Sequence, residues 1–159
     1  MHHPGQKEVE AINVVTSQLM GAISFEEGSQ PNISKIKDLF VPGGLLINCN
    51  ESKAKVLTVD AFIAHFQALH QQEQMTGLYE IEVHHKTKVY DHIAHRFSFY
   101  EARVSKDTDP FAVGINTIQL TKMAGDWKIS TMAWNDDARG DGFFERTMAC
   151  IREEDKKRS

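Results

Sequence analysis

The chain has 159 residues, of which 41% are hydrophobic and 25% are charged, as in ordinary soluble globular proteins. At this length we expect one domain, long enough to bury a sizeable core. The 18 lysines and arginines are outnumbered by 22 aspartates and glutamates, which gives a formal net charge of −4. That balance argues against a nucleic-acid-binding protein, because such proteins usually present a basic face.

The two cysteines and the early residues bear on the compartment. Cys49 and Cys150 are too few for a disulfide framework and form no metal-binding pair, so we expect free thiols. Glu8 and Glu10 lie where a signal peptide would be apolar, and no run reaches the ~18 apolar residues of a membrane span. We therefore expect a cytoplasmic protein that binds neither nucleic acid nor a membrane, with no cofactor and no metal.

Three helices are predicted in the first half of the chain. Apolar residues recur at three- and four-residue spacing from Gln6 to Ser24, which indicates an amphipathic helix. A short helix follows at Ser34 to Phe40, and Leu45 to Ile47 predicts a short buried strand. Thr58 is well placed as the N-cap of a third helix from Val59 to about Gln72.

Two long hairpins are predicted in the second half, where the apolar period changes to two. The first joins Leu78–Tyr90 to Ile93–Arg103 through an Asp91-His92 turn. The second lies within Asp109–Asp137 and turns at Ala124-Gly125-Asp126. A possible last helix, residues 143–152, follows a Gly-rich link.

This order of elements predicts a single α+β domain. Helices first and strands second favour N-terminal helices packed in the concave face of a strongly curved, mainly antiparallel sheet. We place the domain core at about residues 6–137 and a C-terminal extension at 138–159. A sheet that curves over helices encloses a cone-shaped space, where small-molecule sites are often found.

Several short motifs resemble one superfamily. They are Phe40-Val41-Pro42 before a strand, Val59-Asp60-Ala61-Phe62 opening a helix, the segment Ile93–Glu101, Pro110-Phe111, Gly114–Leu120, Asp126–Ile129 and Trp134. Together they resemble the nuclear-transport-factor-2-like superfamily, which includes SnoaL-like polyketide cyclases and steroid isomerases, and within it a bacterial subgroup without a settled activity. The resemblance implies a cone-shaped roll in which a His or a carboxylate in the apolar cone performs proton transfer. The Asp91-His92 turn, usually Gly-Asn in relatives, and the tail after Asp137 depart from the pattern.

Simple pairing across the two turns gathers polar residues near one end of an apolar face. It places Glu82 opposite Glu101, His84 opposite Phe99, and Asn116 opposite Ala133. We therefore predict catalytic roles for the first three polar side chains and a ligand-binding hollow around the rest. The catalytic candidates are Glu82, His84 and Glu101, and the ligand-binding candidates are Phe97, Phe99, Asn116, Trp134 and His95.

Each of these assignments has a plainer alternative. Glu82 and Glu101 are either a carboxylate pair in which proximity raises one pKa, or Glu101 is a strand-end residue that bonds Arg103 or an open backbone group. His95 is either a ligand contact or a hydrogen-bonded core histidine. The catalytic group has no metal-ligand spacing, so we expect no metal there. A register slip of one residue would exchange the two faces of the sheet.

Two functions from different classes follow. The first is a protein that binds an apolar, partly oxygenated small molecule and catalyses acid/base chemistry such as isomerisation, cyclisation or dehydration. The alternative is a non-catalytic module for dimerisation or protein association. A second apolar face predicts a homodimer through the outer side of the sheet in either case. The residues predicted for that face are Ile81, Val83, Tyr100, Ile115 and Met132.

Overall fold

A computed structural model describes residues 5–72 and 75–157, and the side chains of these residues except 155 and 157. Its elements in chain order are α1 (Gln6–Ile23), α2 (Ile33–Asp38), β1 (Phe40–Asn48), β2 (Lys55–Thr58), α3 (Val59–Gln71), β3 (Tyr79–Tyr90), β4 (Ile93–Arg103), β5 (Ala112–Met123), β6 (Asp126–Asp136) and α4 (Phe143–Lys157). Within these described ranges, no helix is long and apolar enough to cross a membrane.

The six strands form one sheet in the order β2-β1-β6-β5-β4-β3. All neighbouring strands are antiparallel except β1 and β6, which are parallel. Helices α1, α2 and α3 supply core residues that pack with Ile118, Leu120 and Ile129 on one face of the sheet, here called the inner face. The predicted α+β fold, with N-terminal helices against a mainly antiparallel sheet, is confirmed.

Local sequence signals fixed most of the boundaries. Thr58 caps α3 as predicted, because its hydroxyl accepts a hydrogen bond from the Ala61 amide at 3.2 Å. Both hairpin turns form where predicted. Asp91 (φ 51°), Ala124 (φ 52°) and Gly125 (φ 88°) take the left-handed conformation that tight hairpin turns need.

The first-half strands differ from the prediction. The strand predicted at residues 45–47 runs from Phe40 to Asn48, and it absorbs Pro42-Gly43-Gly44 as an irregularity between Phe40 and Leu45. The short strand β2 was not predicted, because its four residues lie within or beside a polar loop. Both cysteines are free, as expected.

Two β-bulges make the predicted strand pairings wrong by one residue. In β3 an extra residue between Glu82 and His84 moves Glu82 opposite Tyr100, while His84 lies opposite Phe99 as predicted. In β6 an extra residue places Asn116 opposite Trp134 rather than Ala133. A bulge adds one residue to one strand only, so counting outward from the turn fails beyond it.

The predicted faces of β4 are also exchanged. Phe97 and Phe99 are predicted to line the same hollow as Asn116, but Asn116 lies opposite Ser98 and Ile118 lies opposite Arg96. Arg96 therefore points inward and Phe99 outward. Two residues predicted for the outer face, Tyr100 and Met132, belong to the inner face for the same reason.

Helix α4 lies against the outer face. Phe144 is 5% exposed, and its ring packs edge-on against Phe99 with ring centres 5.7 Å apart. The C-terminal extension thus covers part of the surface predicted for self-association. The homodimer stays a prediction, which the molecular mass in solution would test.

Two glycines give opposite expectations for stability. A Cβ at Gly114 would overlap the Asn135 carbonyl oxygen and the Tyr100 hydroxyl, so we expect Gly114→Ala to lower the free energy of unfolding by about 1–3 kcal/mol. Gly21 in α1 has no atom within 4 Å of such a Cβ, so Gly21→Ala is expected to raise it by about 0.5–1 kcal/mol. Urea unfolding measures both. A Gly114→Ala variant as stable as the wild type would contradict the packing of β4 against β5.

Candidate functional site

A cavity of about 470 Å³ lies between α1 and the inner face of β3 and β4. This volume is within the range of about 300–1,000 Å³ found for ligand pockets. Polar and titratable side chains share its walls with a few apolar ones. The lining residues are Asn13, Ser17, Met20, Gly21, Ser24, Tyr79, Glu80, Ile81, Glu82, His85 and Arg96.

A buried arginine organises one wall of this cavity. Arg96 is 1% exposed, and its Nε and Nη2 both donate to the Glu82 carboxylate, the former at 3.1 Å. Its Nη1 donates to Asn13 Oδ1 and to Thr87 Oγ1, each at 2.8 Å. A guanidinium removed from water needs such partners. Arg96 thereby connects α1 to β3 across the cavity.

Glu82 is held at the same place by a third donor. The Ser98 hydroxyl donates to the carboxylate oxygen that also accepts from Arg96 Nε. With both oxygens engaged, Glu82 has a fixed orientation and neutralises the buried guanidinium. It lines the cavity as a positioned anion.

Glu80 is the carboxyl group tuned to neutral pH. Burial raises the pKa of Glu80 to about 7, and the negative charge of Asp136 contributes in the same direction. The Glu80 amide is fixed by a 3.1 Å hydrogen bond to the Ser24 hydroxyl of α1. A carboxyl group with this pKa both accepts and donates protons near pH 7.

His85 complements this group on the same cavity wall. Burial lowers the pKa of His85, and the charges of Arg96 and His84 lower it further against the opposing effect of Glu82. Its imidazole is therefore neutral at pH 7, with one nitrogen able to donate and the other able to accept. Glu80 and His85 thus place two titratable groups along one wall of the cavity, five positions apart on β3.

A phenol–carboxylate pair lies farther along the inner face. Tyr100 donates its hydroxyl hydrogen to Asp136, whose other oxygen accepts from Asn50 Nδ2 at 3.2 Å. Burial raises the pKa of Tyr100, and the hydrogen bond to Asp136 and the charge of Glu80 add to the rise. The phenol therefore keeps its hydrogen at neutral pH and donates it to Asp136.

Asn116 has a donor without a protein partner. It is 2% exposed, and its Nδ2 forms no hydrogen bond within the part of the chain that the structure describes. Buried polar groups are rarely left in this state. Asn116 is not among the residues that line the cavity, so this donor points into the packed interior.

The structure brings only some of the predicted site residues inside. Glu82, Asn116 and Trp134 lie on the inner face, where Trp134 packs edge-on against Phe62 at 6.0 Å. Glu101 lies opposite Ile81 on the outer side and forms an ion pair with Arg103 at 2.9 Å. These surroundings match the alternative in which Glu101 is a strand-end residue paired with Arg103.

The other predicted residues also lie on the outer face. His84 packs on Phe99 with ring centres 5.6 Å apart, and burial followed by the charge of Arg152 lowers its pKa. His95 contacts Phe97 and has a 3.3 Å hydrogen bond with Gln119. These four candidates, His84, His95, Phe97 and Phe99, are thus separated from the cavity by the sheet.

Sequence reasoning missed Glu80, His85, Arg96 and Tyr100. One signal was available, since Glu80 lies two residues before Glu82 and must share its face in a regular strand. Arg96 inside an apolar strand was a second signal, because a buried cation requires a carboxylate nearby. His85 shares that face only because of the bulge. Across the described residues, no group of three or more His, Cys, Asp or Glu is arranged to hold a metal ion.

We expect Arg96→Met to lower the free energy of unfolding by about 3 kcal/mol, because it leaves Glu82 without its counter-ion. The double variant Arg96→Met with Glu82→Gln should be more stable than Arg96→Met alone. As a control, Lys37→Met breaks an ion pair whose side chains are 66% and 71% exposed, and should cost less than about 1 kcal/mol. Strictly additive effects of the first two substitutions in chemical unfolding would contradict the pairing.

No protein-family model and no curated protein matches this sequence. Solved structures do. A cystatin-like protein of unknown function from Nostoc punctiforme has a TM-score of 0.68 and 11% identity, over 84% of this chain and 94% of that one. A provisionally assigned dehydratase of the NTF2-like family from Streptomyces avermitilis has a TM-score of 0.64 and 8% identity, over 82% and 96%.

A provisionally assigned ketosteroid isomerase from Shewanella frigidimarina has a TM-score of 0.56 and 20% identity, covering 78% of this chain and 94% of that one. The TM-scores establish the shared architecture, and identities this low leave the activity open. The order of strands, the inner helices and these likenesses agree with the resemblance noted in the sequence. The chain has the cystatin-like α+β fold of nuclear-transport-factor-2-like proteins.

Proposed function

We propose that the chain binds a small, uncharged, partly oxygenated molecule in the cavity between α1 and β3 and transfers a proton on it. The observation that carries this proposal is the Glu80 carboxyl group, which lines the cavity with a pKa of about 7. Isomerisation, cyclisation and dehydration all begin with such a transfer next to a carbonyl or hydroxyl group. Similar folds in a provisionally assigned isomerase and dehydratase support the same class of reaction.

In this proposal Glu80 and His85 have complementary roles. Glu80 removes a proton from a carbon of the substrate and returns it at another position. His85, which is neutral at pH 7, donates a hydrogen bond to the substrate oxygen as negative charge develops there. Met20 of α1 supplies apolar contact for the rest of the molecule.

The charges around the cavity support an uncharged substrate. Arg96 is the arginine that lines it, and four of its five N–H donors are used by Glu82, Asn13 and Thr87. A ligand carboxylate or phosphate would meet Glu80 and Glu82 with no free cation among the lining residues. Anionic substrates are therefore disfavoured.

One observation favours the alternative function of protein association. Ile93 and Phe97, on the outer side of β4, are 52% and 38% exposed. Exposed apolar residues on one sheet face are typical of a contact surface. Self-association through this face would leave the inner cavity unchanged. Under this alternative, Glu80→Gln would alter no proton transfer, whereas under the proposed chemistry it would slow it.

We expect Glu80 to make stability fall with rising pH. A carboxyl whose folded-state pKa is raised contributes stability that is fully present below its unfolded pKa of ~4.5 and is lost as pH rises through about 7. Between pH 5 and pH 8 the unfolding free energy of the wild type should fall by more than that of Glu80→Gln. The extra loss in the wild type should be at most about 3 kcal/mol. Glu101→Gln, on the outer face, should keep the wild-type dependence. An NMR titration of the Glu80 carboxyl carbon with a midpoint near pH 4 would contradict the raised pKa of Glu80.

The proposed chemistry is tested with the molecule that the protein retains when purified from its own cells, identified by native mass spectrometry. In deuterated water we expect deuterium to enter that molecule, observed by proton NMR. Glu80→Gln should slow this exchange by about 10²–10⁴-fold, the usual contribution of a general acid or base. Glu101→Gln serves as the matched control and should leave the rate unchanged. Equal exchange rates in Glu80→Gln and wild type would overturn the assignment of Glu80.

A further inference from the structure

A second hollow lies on the outer face, on the opposite side of the sheet from the cavity described above. It has a volume of about 390 Å³ and lies between the β3–β4 hairpin and helix α4. That volume is again in the range of ligand pockets. Its lining residues are Lys86, Lys88, His95, Phe97, Ile151 and Glu154. We call this hollow the outer groove.

The floor of the outer groove is an aromatic ring that α4 leaves partly uncovered. Phe144, near the start of α4, packs on Phe99, which is fully buried, whereas Phe97 two residues earlier on β4 is 38% exposed. Ile151, two turns farther along α4, forms the opposite wall. An apolar chain placed between Phe97 and Ile151 would be stabilised because its surface is removed from water.

The rim of the outer groove is basic on the strand side. Lys86 pairs with Phe97 across β3 and β4, and Lys88 pairs with His95, so both lysines project beside the aromatic floor. The carboxylate among the lining residues, Glu154, belongs to the helix side. An apolar floor with the Lys88 ammonium group at its edge is complementary to a molecule with an apolar chain and an anionic head.

We propose that the outer groove binds a single medium-chain fatty carboxylate, with its chain between Phe97 and Ile151 and its head group at Lys88. This site is distinct from the inner cavity, whose charges disfavour anions. The two faces of the sheet therefore select ligands of different charge. The C-terminal extension, which had no counterpart in the sequence resemblance, has the role of forming one wall of this site.

The experiment titrates the full-length chain with decanoate while NMR follows two labelled methyl groups. The Ile151 methyl reports on the outer groove and the Met20 methyl reports on the inner cavity. We expect saturable shifts at Ile151 and none at Met20. Decyltrimethylammonium, with the same chain and the opposite charge, should bind at least about tenfold more weakly.

Lys88→Glu should weaken decanoate binding by about tenfold or more, because it reverses the charge beside the head group. Lys53→Glu makes the same change in the exposed loop before β2, at the other edge of the sheet, and should change the affinity by less than about twofold. An unchanged Met20 signal shows that each variant is folded. The proposal is overturned if decanoate shifts Met20 instead of Ile151, if the cationic amphiphile binds equally well, or if no saturation occurs below the micelle concentration of decanoate.

Discussion

The buried contact between Arg96 and Glu82 is the constraint on which the arrangement around the cavity depends. An arginine that is 1% exposed is tolerated only when each charged nitrogen has a partner, and its partners here come from β3 and from α1. Asn13 is thereby fixed above the sheet, and the cavity between helix and strand has a defined width. The start of the same helix is held against β5, because Glu8 accepts a hydrogen bond from Lys122 Nζ at 2.9 Å.

This contact also separates the behaviour of two carboxyl groups on one strand. Glu82 lies within reach of the guanidinium and is committed to it. Glu80, two residues earlier, is half-buried near Asp136 instead, and desolvation raises its pKa to about 7. Environments that distinguish neighbouring carboxyl groups in this way are the usual basis for assigning acid and base roles. The proposed chemistry depends on that contrast and on the neutral state of His85.

The sequence was sufficient for the architecture and insufficient for the site. Long runs of period two, tight turns and the Thr58 cap specify elements through local energetics, and those predictions are confirmed. The lining of the cavity depends on the bulge in β3, which no periodic pattern reveals, so counting residues outward from the turn gave a wrong partner for Glu82. The alternation of side chains along β4 also does not show which of its two faces meets the helices. Its outward phenylalanine, Phe99, is buried by Phe144 of α4, while its inward Arg96 is buried by ion pairing.

The parallel pairing of β1 with β6 has a consequence for how the chain acquires its structure. The hydrogen bond from Asn135 to the Cys49 carbonyl spans 86 residues, and the neighbouring strand contacts are equally distant in sequence. During synthesis, β1 and β2 leave the ribosome with an open edge that only the last strand can fill. Contacts this distant carry a large loop-closure entropy and slow the search for the native topology. Until β6 arrives, that open edge is exposed to pairing with another molecule.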